Sequence, residues 1–328
     1  MSPKVSVILY GYNHGRYIRE AVDSILSQTF QDFELIATDN GSSDDSAEIL
    51  RSYAAENKRI KLMLHKDNVL TGARFNMPFA LCAGEYISFL NADDYYLPRK
   101  LERQTECFAG LGPDYGVVYS PGYTLNDLTG EKWVEPSLRS SGDVLEDMLR
   151  KFFSEGNICP MSPLVRKECL LRYPFYPEAF FEGEAIYRRM AMRYKFQYID
   201  EPLVVMRDHL YNLGKAIRPN RAVAMDALER LGNDPEFPPR LRRIFETHRS
   251  TLMRNYGWQG IRVLEDGKWA REAFMATLRW SPSQIFHPKT AAGLALSWLP
   301  RPVLRGFNGV ANRLLRHKQN IMYRDLDL

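Results

Sequence analysis

Tyr86-Ile87-Ser88-Phe89-Leu90-Asn91-Ala92-Asp93-Asp94-Tyr95-Tyr96 is an apolar run that stops on two adjacent carboxylates. Its first half predicts a buried strand, with Asp93 and Asp94 just past the strand's end. Open α/β sheets bind ligands at that carboxyl edge. Two readings of the pair stand side by side. A hard divalent cation bridging a diphosphate takes one or two such carboxylates and keeps its other positions for phosphate and water. Alternatively, Asp94 caps a helix predicted over residues 98–109 by accepting its free amides.

Upstream, strand and helix patterns alternate. Val5-Ser6-Val7-Ile8-Leu9-Tyr10 is a β-branched run ending in the turn residues Gly11 and Asn13. Ile18, Ala21, Val22, Ile25 and Leu26 then recur at the spacing of one helix face. Phe33 to Thr38 predicts a second strand that ends in Asp39-Asn40-Gly41-Ser42-Ser43-Asp44-Asp45, followed by a helix over 46–57 and an edge strand over 60–64. A further helix is predicted over 74–83, with Gly84 as its C′ residue. This alternation predicts an α/β, doubly wound, mostly parallel sheet. Each strand ends in polar turn residues, so Tyr12-Asn13, Asp39-Asn40 and Asp93-Asp94 should gather along one edge.

Downstream, prolines and glycines break residues 113–165 into short strands and loops around a buried run, Val117-Val118-Tyr119-Ser120. A helix is expected over 143–153 and another from Glu182-Gly183-Glu184 through Tyr194. Strands follow over 196–199 and 203–206, the latter leading into Arg207-Asp208-His209. From Gly214 the pattern turns helical, and residues 256–278 resemble one helical hairpin of the tetratricopeptide type. Residues 290–318 mix apolar residues with a purely basic polar set, which suits either a helix packed on its own domain or one lying on an anionic membrane surface.

Composition is that of an ordinary globular protein, 45% hydrophobic and 26% charged over 328 residues. The net charge of +4 conceals an asymmetry. Residues 213–328 hold 20 Lys+Arg against 10 Asp+Glu, and residues 1–212 hold 24 against 30. An acidic front half argues against nucleic-acid binding and suits a metal site. The basic back half suits a polyanion such as anionic lipid. Four cysteines without CxxC spacing, a start without a signal-peptide apolar core, and no apolar run near the roughly 20 residues a membrane span needs predict a cytoplasmic protein, peripheral to the membrane if 290–318 docks there.

Together, Val5-Ser6-Val7-Ile8 with Tyr12-Asn13, the run Ala21 to Phe30, Asp39-Asn40-Gly41-Ser42-Ser43-Asp44 and Asn91-Ala92-Asp93-Asp94 resemble the pattern of glycosyltransferase family two. The resemblance runs in order from residue 5 to about 110 and resumes at 180–212. It implies a GT-A fold, Rossmann-like, with a catalytic domain over 1–212 and a basic helical extension over 213–328. Within the catalytic domain, residues 1–110 would bind the nucleotide sugar and 111–212 would form the acceptor half. It also implies an inverting hexosyltransferase that uses a nucleoside-diphosphate sugar, UDP foremost, and Mn²⁺ or Mg²⁺. The acceptor would be a glycan or lipid-linked glycan in surface polysaccharide biosynthesis.

Carried over by position, Tyr12, Asn13, Asp39, Asn40, Arg74, Asn91 and Ala92 would form the donor site, with Asp93 and His209 at the metal. The chain departs from the family at Asn40 and Asn91, where aspartates are usual, and at Gly183, where the general base is usual. Glu184, or else Glu182, would then take the proton. The competing reading of those departures is a catalytically weak member that binds sugar nucleotides or glycans.

Overall fold

The computed structural model describes residues 2–179 and 185–314, with side chains described through Gly309. The chain divides into two compact units, Met1–His209 and Leu210–Leu328.

In the first unit, β1 (Val5–Gly11), α1 (Ile18–Leu26), β2 (Phe33–Asp39), α2 (Ser46–Glu56) and β3 (Ile60–Leu64) alternate as the sequence predicts. Next come α3 (Gly72–Asn76), β4 (Tyr86–Asn91), β5 (Tyr95–Tyr96), α4 (Lys100–Ala109), β6 (Tyr115–Tyr119), β7 (Tyr123–Asn126) and β8 (Lys132–Val134). The unit closes with α5 (Leu145–Arg150), β9 (Leu164–Arg166), α6 (Lys167–Arg172), α7 (Ala185–Met190), β10 (Lys195–Tyr198) and β11 (Val204–Asp208).

Seven strands form one sheet in the order β10-β6-β9-β4-β1-β2-β3. All pairings are parallel except those of β9, which runs antiparallel between β4 and β6. The central strands read as unbroken apolar runs because both faces of a parallel sheet are covered, and Val5, Val7, Ile8, Leu9, Leu35, Ile36, Ile87 and Leu90 are fully buried. A second sheet, β5-β11-β7-β8, joins β7 and β8 from the irregular 113–165 stretch to β11, the strand expected over 203–206, and to the two residues of β5 that follow Asp94.

Three local expectations are corrected. The helix over 74–83 is α3 followed by a 3₁₀ turn, Met77–Leu81. Pro78 lacks the amide that an α-helix would need there. Gly84 is not a left-handed cap. A Cβ at that position would lie 2.5 Å from the Ser6 nitrogen and 2.7 Å from the Val5 carbonyl carbon, so the chain needs glycine to pass close to β1. Nor does Asp94 cap α4. The Leu101 amide donates instead to Gln28 Oε1 at 3.0 Å, while Asp94 Oδ1 accepts the Arg207 amide at 2.8 Å.

Lys100, at the start of α4, is wholly buried and donates to Ser88 Oγ and Gln104 Oε1, both at 2.8 Å. Burial lowers its pKa to about 7, against about 10.4 in an unfolded chain. Between those values the unfolded chain binds more protons than the folded one, so this lysine makes stability rise with pH, by up to about 1.4 kcal/mol per pH unit. Urea unfolding at pH 7 and pH 9 should show the wild type gaining stability relative to Lys100→Met. Equal slopes for the two proteins would refute the neutral-lysine assignment.

The second unit is helical: α8 (Ile217–Asn233), α9 (Arg242–Gln259), α10 (Gly267–Trp280), α11 (Pro288–Leu296) and α12 (Arg301–Leu314). The hairpin expected over 256–278 is the end of α9, a π turn at Gly260–Leu264, and α10. Gly257 lets the two helices close on Phe274, since a Cβ would lie 2.7 Å from that ring. Asp266 caps α10 by accepting the Trp269 amide at 3.0 Å. Phe274 packs with Ile261, Ala270 and Leu304 in a buried cluster. Among the described residues no helix is long and apolar enough to cross a membrane.

Candidate active site

Parallel neighbours in register bring three loops to the same edge. Gly11 pairs with Asp39, and Tyr10 with Asn91, so the residues after β1, β2 and β4 leave the sheet side by side. Two of the loops are stapled together. Asn13 adopts a left-handed φ of 54°, a region asparagine tolerates better than most residues. Its Oδ1 accepts the Ser43 amide at 2.8 Å, and its own amide donates to Ser42 Oγ at 2.8 Å. Asp39 shapes the same turn, accepting the Gly41 and Ser42 amides at 3.2 and 2.9 Å and the Ser42 hydroxyl. Tyr12 stands exposed beside this staple, and Ala92 is buried against Gly11.

Asn40 and Arg74 meet. Arg74 Nη1 donates to Asn40 Oδ1 at 3.2 Å, while Asn40 Nδ2 donates to Asn68 Oδ1 at 2.7 Å and to the Val69 carbonyl at 3.1 Å. An amide both donates and accepts, and an ionised aspartate only accepts. The 67–69 loop therefore gives this departure from the family pattern a structural reason.

Asp93 and His209 are buried, with His209 Nε2 3.0 Å from Asp93 Oδ2. Residues 116 apart meet because β11 runs antiparallel to β5, with Val204 opposite Tyr96 and Val205 opposite Tyr95. That register returns the end of β11 to the turn before β5. Asp94 extends the pairing through its bond to the Arg207 amide.

His14 completes a group that the sequence reading did not assign. One nitrogen from each of His14 and His209 and one oxygen of Asp93 lie within 4.8 Å of one another. The signal for it was its place one residue beyond Asn13. It lacked the information that β1 would lie directly beside β4. Around His209, the Tyr17 ring stacks at 5.4 Å between centroids, and the Arg207 guanidinium lies 5.2 Å from the Tyr17 ring. Asp127 ties the shell together, accepting from Tyr17 at 2.9 Å and pairing with Arg16 at 3.2 Å and Arg207 at 3.5 Å.

The electrostatics divide the two carboxylates. Burial works to raise the Asp93 pKa, but the hydrogen bond from His209 and the two imidazoles outweigh it and leave the group lowered. Asp94, buried and facing the charge of Asp93, is raised well above the ordinary carboxylate value despite the Arg207 amide. Burial, with His209 nearby, lowers His14 despite the opposing pull of Asp93. A neutral imidazole and an ionised carboxylate are the forms that ligate metals. Asp93 Oδ1 is buried without a hydrogen-bond partner, which leaves its lone pairs for a ligand, and His14 presents Nε2 3.8 Å from Asp93 Oδ2. Glu182 and Glu184 lie outside the described residues.

The family model for glycosyl transferase family 2 matches residues 6–173. This chain belongs to glycosyl transferase family 2. Its relatives include glycosyltransferase GlyG of Streptococcus pneumoniae serotype 4, 29% identical over 64% of this chain and 70% of GlyG. An uncharacterized glycosyltransferase of Nostoc is 37% identical over 47% of each protein, so this family 2 chain spans about half of that relative's length. Among solved structures, S. aureus TarS 1–349 in complex with UDP-GlcNAc superposes with a TM-score of 0.65 at 15% identity, covering 94% of this chain and 92% of TarS 1–349. The mannosyltransferase PcManGT of Pyrobaculum calidifontis, in complex with GDP-Man and Mn²⁺, superposes with a TM-score of 0.60 at 16% identity over 97% and 89%. At those identities the likeness is one of fold. The mostly parallel sheet with helices is the GT-A fold, followed by a helical C-terminal region.

Proposed function

We propose that this family 2 chain transfers a hexosyl group, with inversion, from a nucleoside-diphosphate sugar to a hydroxyl of a glycan or lipid-linked glycan, in the cytoplasm, during surface polysaccharide biosynthesis. The observation that carries the reading is the meeting of Asp93, His209 and His14 beside the stapled Asn13 and Asp39 loops. UDP-GlcNAc and UDP in TarS and GDP-Man in PcManGT support a nucleotide-sugar donor. Residues 1–110 would hold that donor and 111–212 would shape the acceptor side. Tyr12, Asn13, Asp39, Asn40, Arg74, Asn91 and Ala92 would line the nucleotide pocket, with Tyr12 against the base. UDP is the favoured donor nucleotide.

The donor set of two imidazoles and one carboxylate fits a divalent cation, and the unpartnered buried Asp93 Oδ1 supports that fit. Imidazole ligands favour Mn²⁺ over Mg²⁺, which prefers oxygen and dehydrates reluctantly. Bound there, the cation would neutralise charge on the departing diphosphate. Asp93 and His209 hold each other in place for that role, and the Tyr17–Arg207–Asp127 shell fixes the His209 ring. A carboxylate, Glu184 or else Glu182, takes the proton of the acceptor hydroxyl as its oxygen bonds to the anomeric carbon. The bond from that carbon to the diphosphate oxygen breaks with its electron pair leaving on the nucleoside diphosphate, so the configuration inverts in one displacement.

A thermal-shift panel of UDP-, GDP- and dTDP-sugars with Mn²⁺, paired with an assay of nucleoside-diphosphate release, tests the reading. A donor at 100 times its Kd stabilises the fold by about 2.7 kcal/mol. The reading expects one nucleotide class to raise the melting temperature and turn over, with EDTA abolishing both. Stabilisation without turnover on any acceptor glycan would favour a sugar-nucleotide binding module, as Gly183 suggests. No shift with any nucleotide sugar would overturn both.

A further inference from the structure

We infer that the 298–314 segment of the second unit is a docking surface for an anionic phospholipid bilayer. The chain carries no Asp or Glu between Glu272 and Asp325, while the same stretch holds eight Lys and Arg. Within it, large apolar side chains stand in solvent. Trp298 is 68% exposed, Val303 50% and Phe307 39%, and Phe286, ahead of α11, is 87% exposed.

The helix α12 explains why these residues face outward. Leu304 is fully buried, and Asn308 is buried with its Nδ2 donating to the Ile261 carbonyl at 2.9 Å, so one side of α12 is committed to its own unit. Val303 and Phe307, one turn apart and both exposed, form a separate stripe. Arg301 and Arg305 lie off that stripe by helical periodicity. The turn leading into α12 adds Trp298, whose ring is held against the Arg271 guanidinium at 3.6 Å, and the exposed Leu299.

An exposed apolar stripe on a helix whose own charged residues are all basic, with a tryptophan at its end, has the composition of a helix lying in the headgroup region. One of those cations, Arg305, pairs with Glu265 at 3.1 Å. Basic residues near an anionic surface add attraction that salt screens. With 14 residues, α12 is too short to span the roughly 30 Å hydrocarbon core. The excess of basic over acidic residues along this stretch decides between occupants. A second copy of this net-basic segment would meet like charge, whereas an anionic bilayer neutralises it.

The experiment is co-sedimentation of the full chain with phosphatidylcholine vesicles, with and without about one-third phosphatidylglycerol. Wild type should pellet with the anionic vesicles, and salt should weaken the association. The double variant Val303→Glu/Phe307→Glu, which alters two solvent-exposed side chains, should bind at least 10-fold more weakly. Its melting temperature and nucleoside-diphosphate release with soluble acceptor should match wild type, which separates this surface from the proposed catalysis. Trp298→Ala provides a second, charge-neutral variant and should weaken vesicle binding several-fold. Equal pelleting of wild type and both variants would overturn the proposal, as would no pelleting of wild type. A lipid-independent dimer that the double variant dissolves would assign the face to a second copy and overturn it as well.

Discussion

Asp93→Asn should lower nucleoside-diphosphate release about 10³-fold, the scale of removing one preorganised stabiliser of developing charge. The change keeps the shape of the side chain and removes the charge that His209 and His14 face. Isothermal titration of Mn²⁺ in the presence of UDP should lose its signal in the same variant, a readout independent of turnover. His14→Gln should weaken Mn²⁺ about 10- to 100-fold if His14 is the third donor. Because Asp94 keeps its bond to the Arg207 amide in both variants, the β5–β11 pairing should survive and the melting temperature should move little. Wild-type Mn²⁺ affinity in Asp93→Asn would remove the metal site from this edge of the sheet.

Glu184→Gln should reduce turnover by 10²- to 10⁴-fold, the usual range for losing a general base, while donor binding stays intact. Glutamine preserves size and hydrogen bonding but cannot take the acceptor proton. Glu182→Gln should cost far less, since the assignment rests on Gly183 giving the backbone freedom to bring Glu184 onto the position the family base usually holds. Measured against the thermal-shift response to the donor, the two variants separate catalysis from binding. Wild-type rates in both would dismiss the base assignment, and a large loss in Glu182→Gln alone would transfer the role to Glu182.

The legible part of the site came from local patterns. The β4 run and its carboxylates, the Asx-rich loop after β2 and the asparagine after β1 all announce themselves within a few residues. Apolar runs and turn residues are selected by nearby backbone geometry. His209 was assigned to the metal by its resemblance to a family position, with its place after Arg207 at the end of a predicted strand as the local signal. The misassigned cap on α4 shows the opposite failure. Asp94 has the right residue type and approximate spacing for an N-cap, yet the partners for Asp94 and for the α4 amide come from residues far along the chain, Arg207 and Gln28.

The second sheet was missed for the same reason. The strand β5 has only two residues, and the side chains of β7 are all half-buried, so neither prints a periodicity that stands above its prolines and glycines. The insertion of β9 between β4 and β6 is likewise a choice of strand order that no local pattern encodes.

By itself the sequence determined the alternating α/β architecture, the edge of the sheet where the Asn13, Asp39 and Asp93 loops gather, and the basic character of residues 273–324, which hold no Asp or Glu. Each of these follows from residue type at short spacing. Only the tertiary structure decided that β1 lies beside β4, bringing His14 to Asp93, and that β11 runs against β5, bringing His209 to the same carboxylate. It also decided which side of α12 faces out. Strand order, register and burial arise from contacts between segments distant in the chain, and their energies exist only once those segments have met.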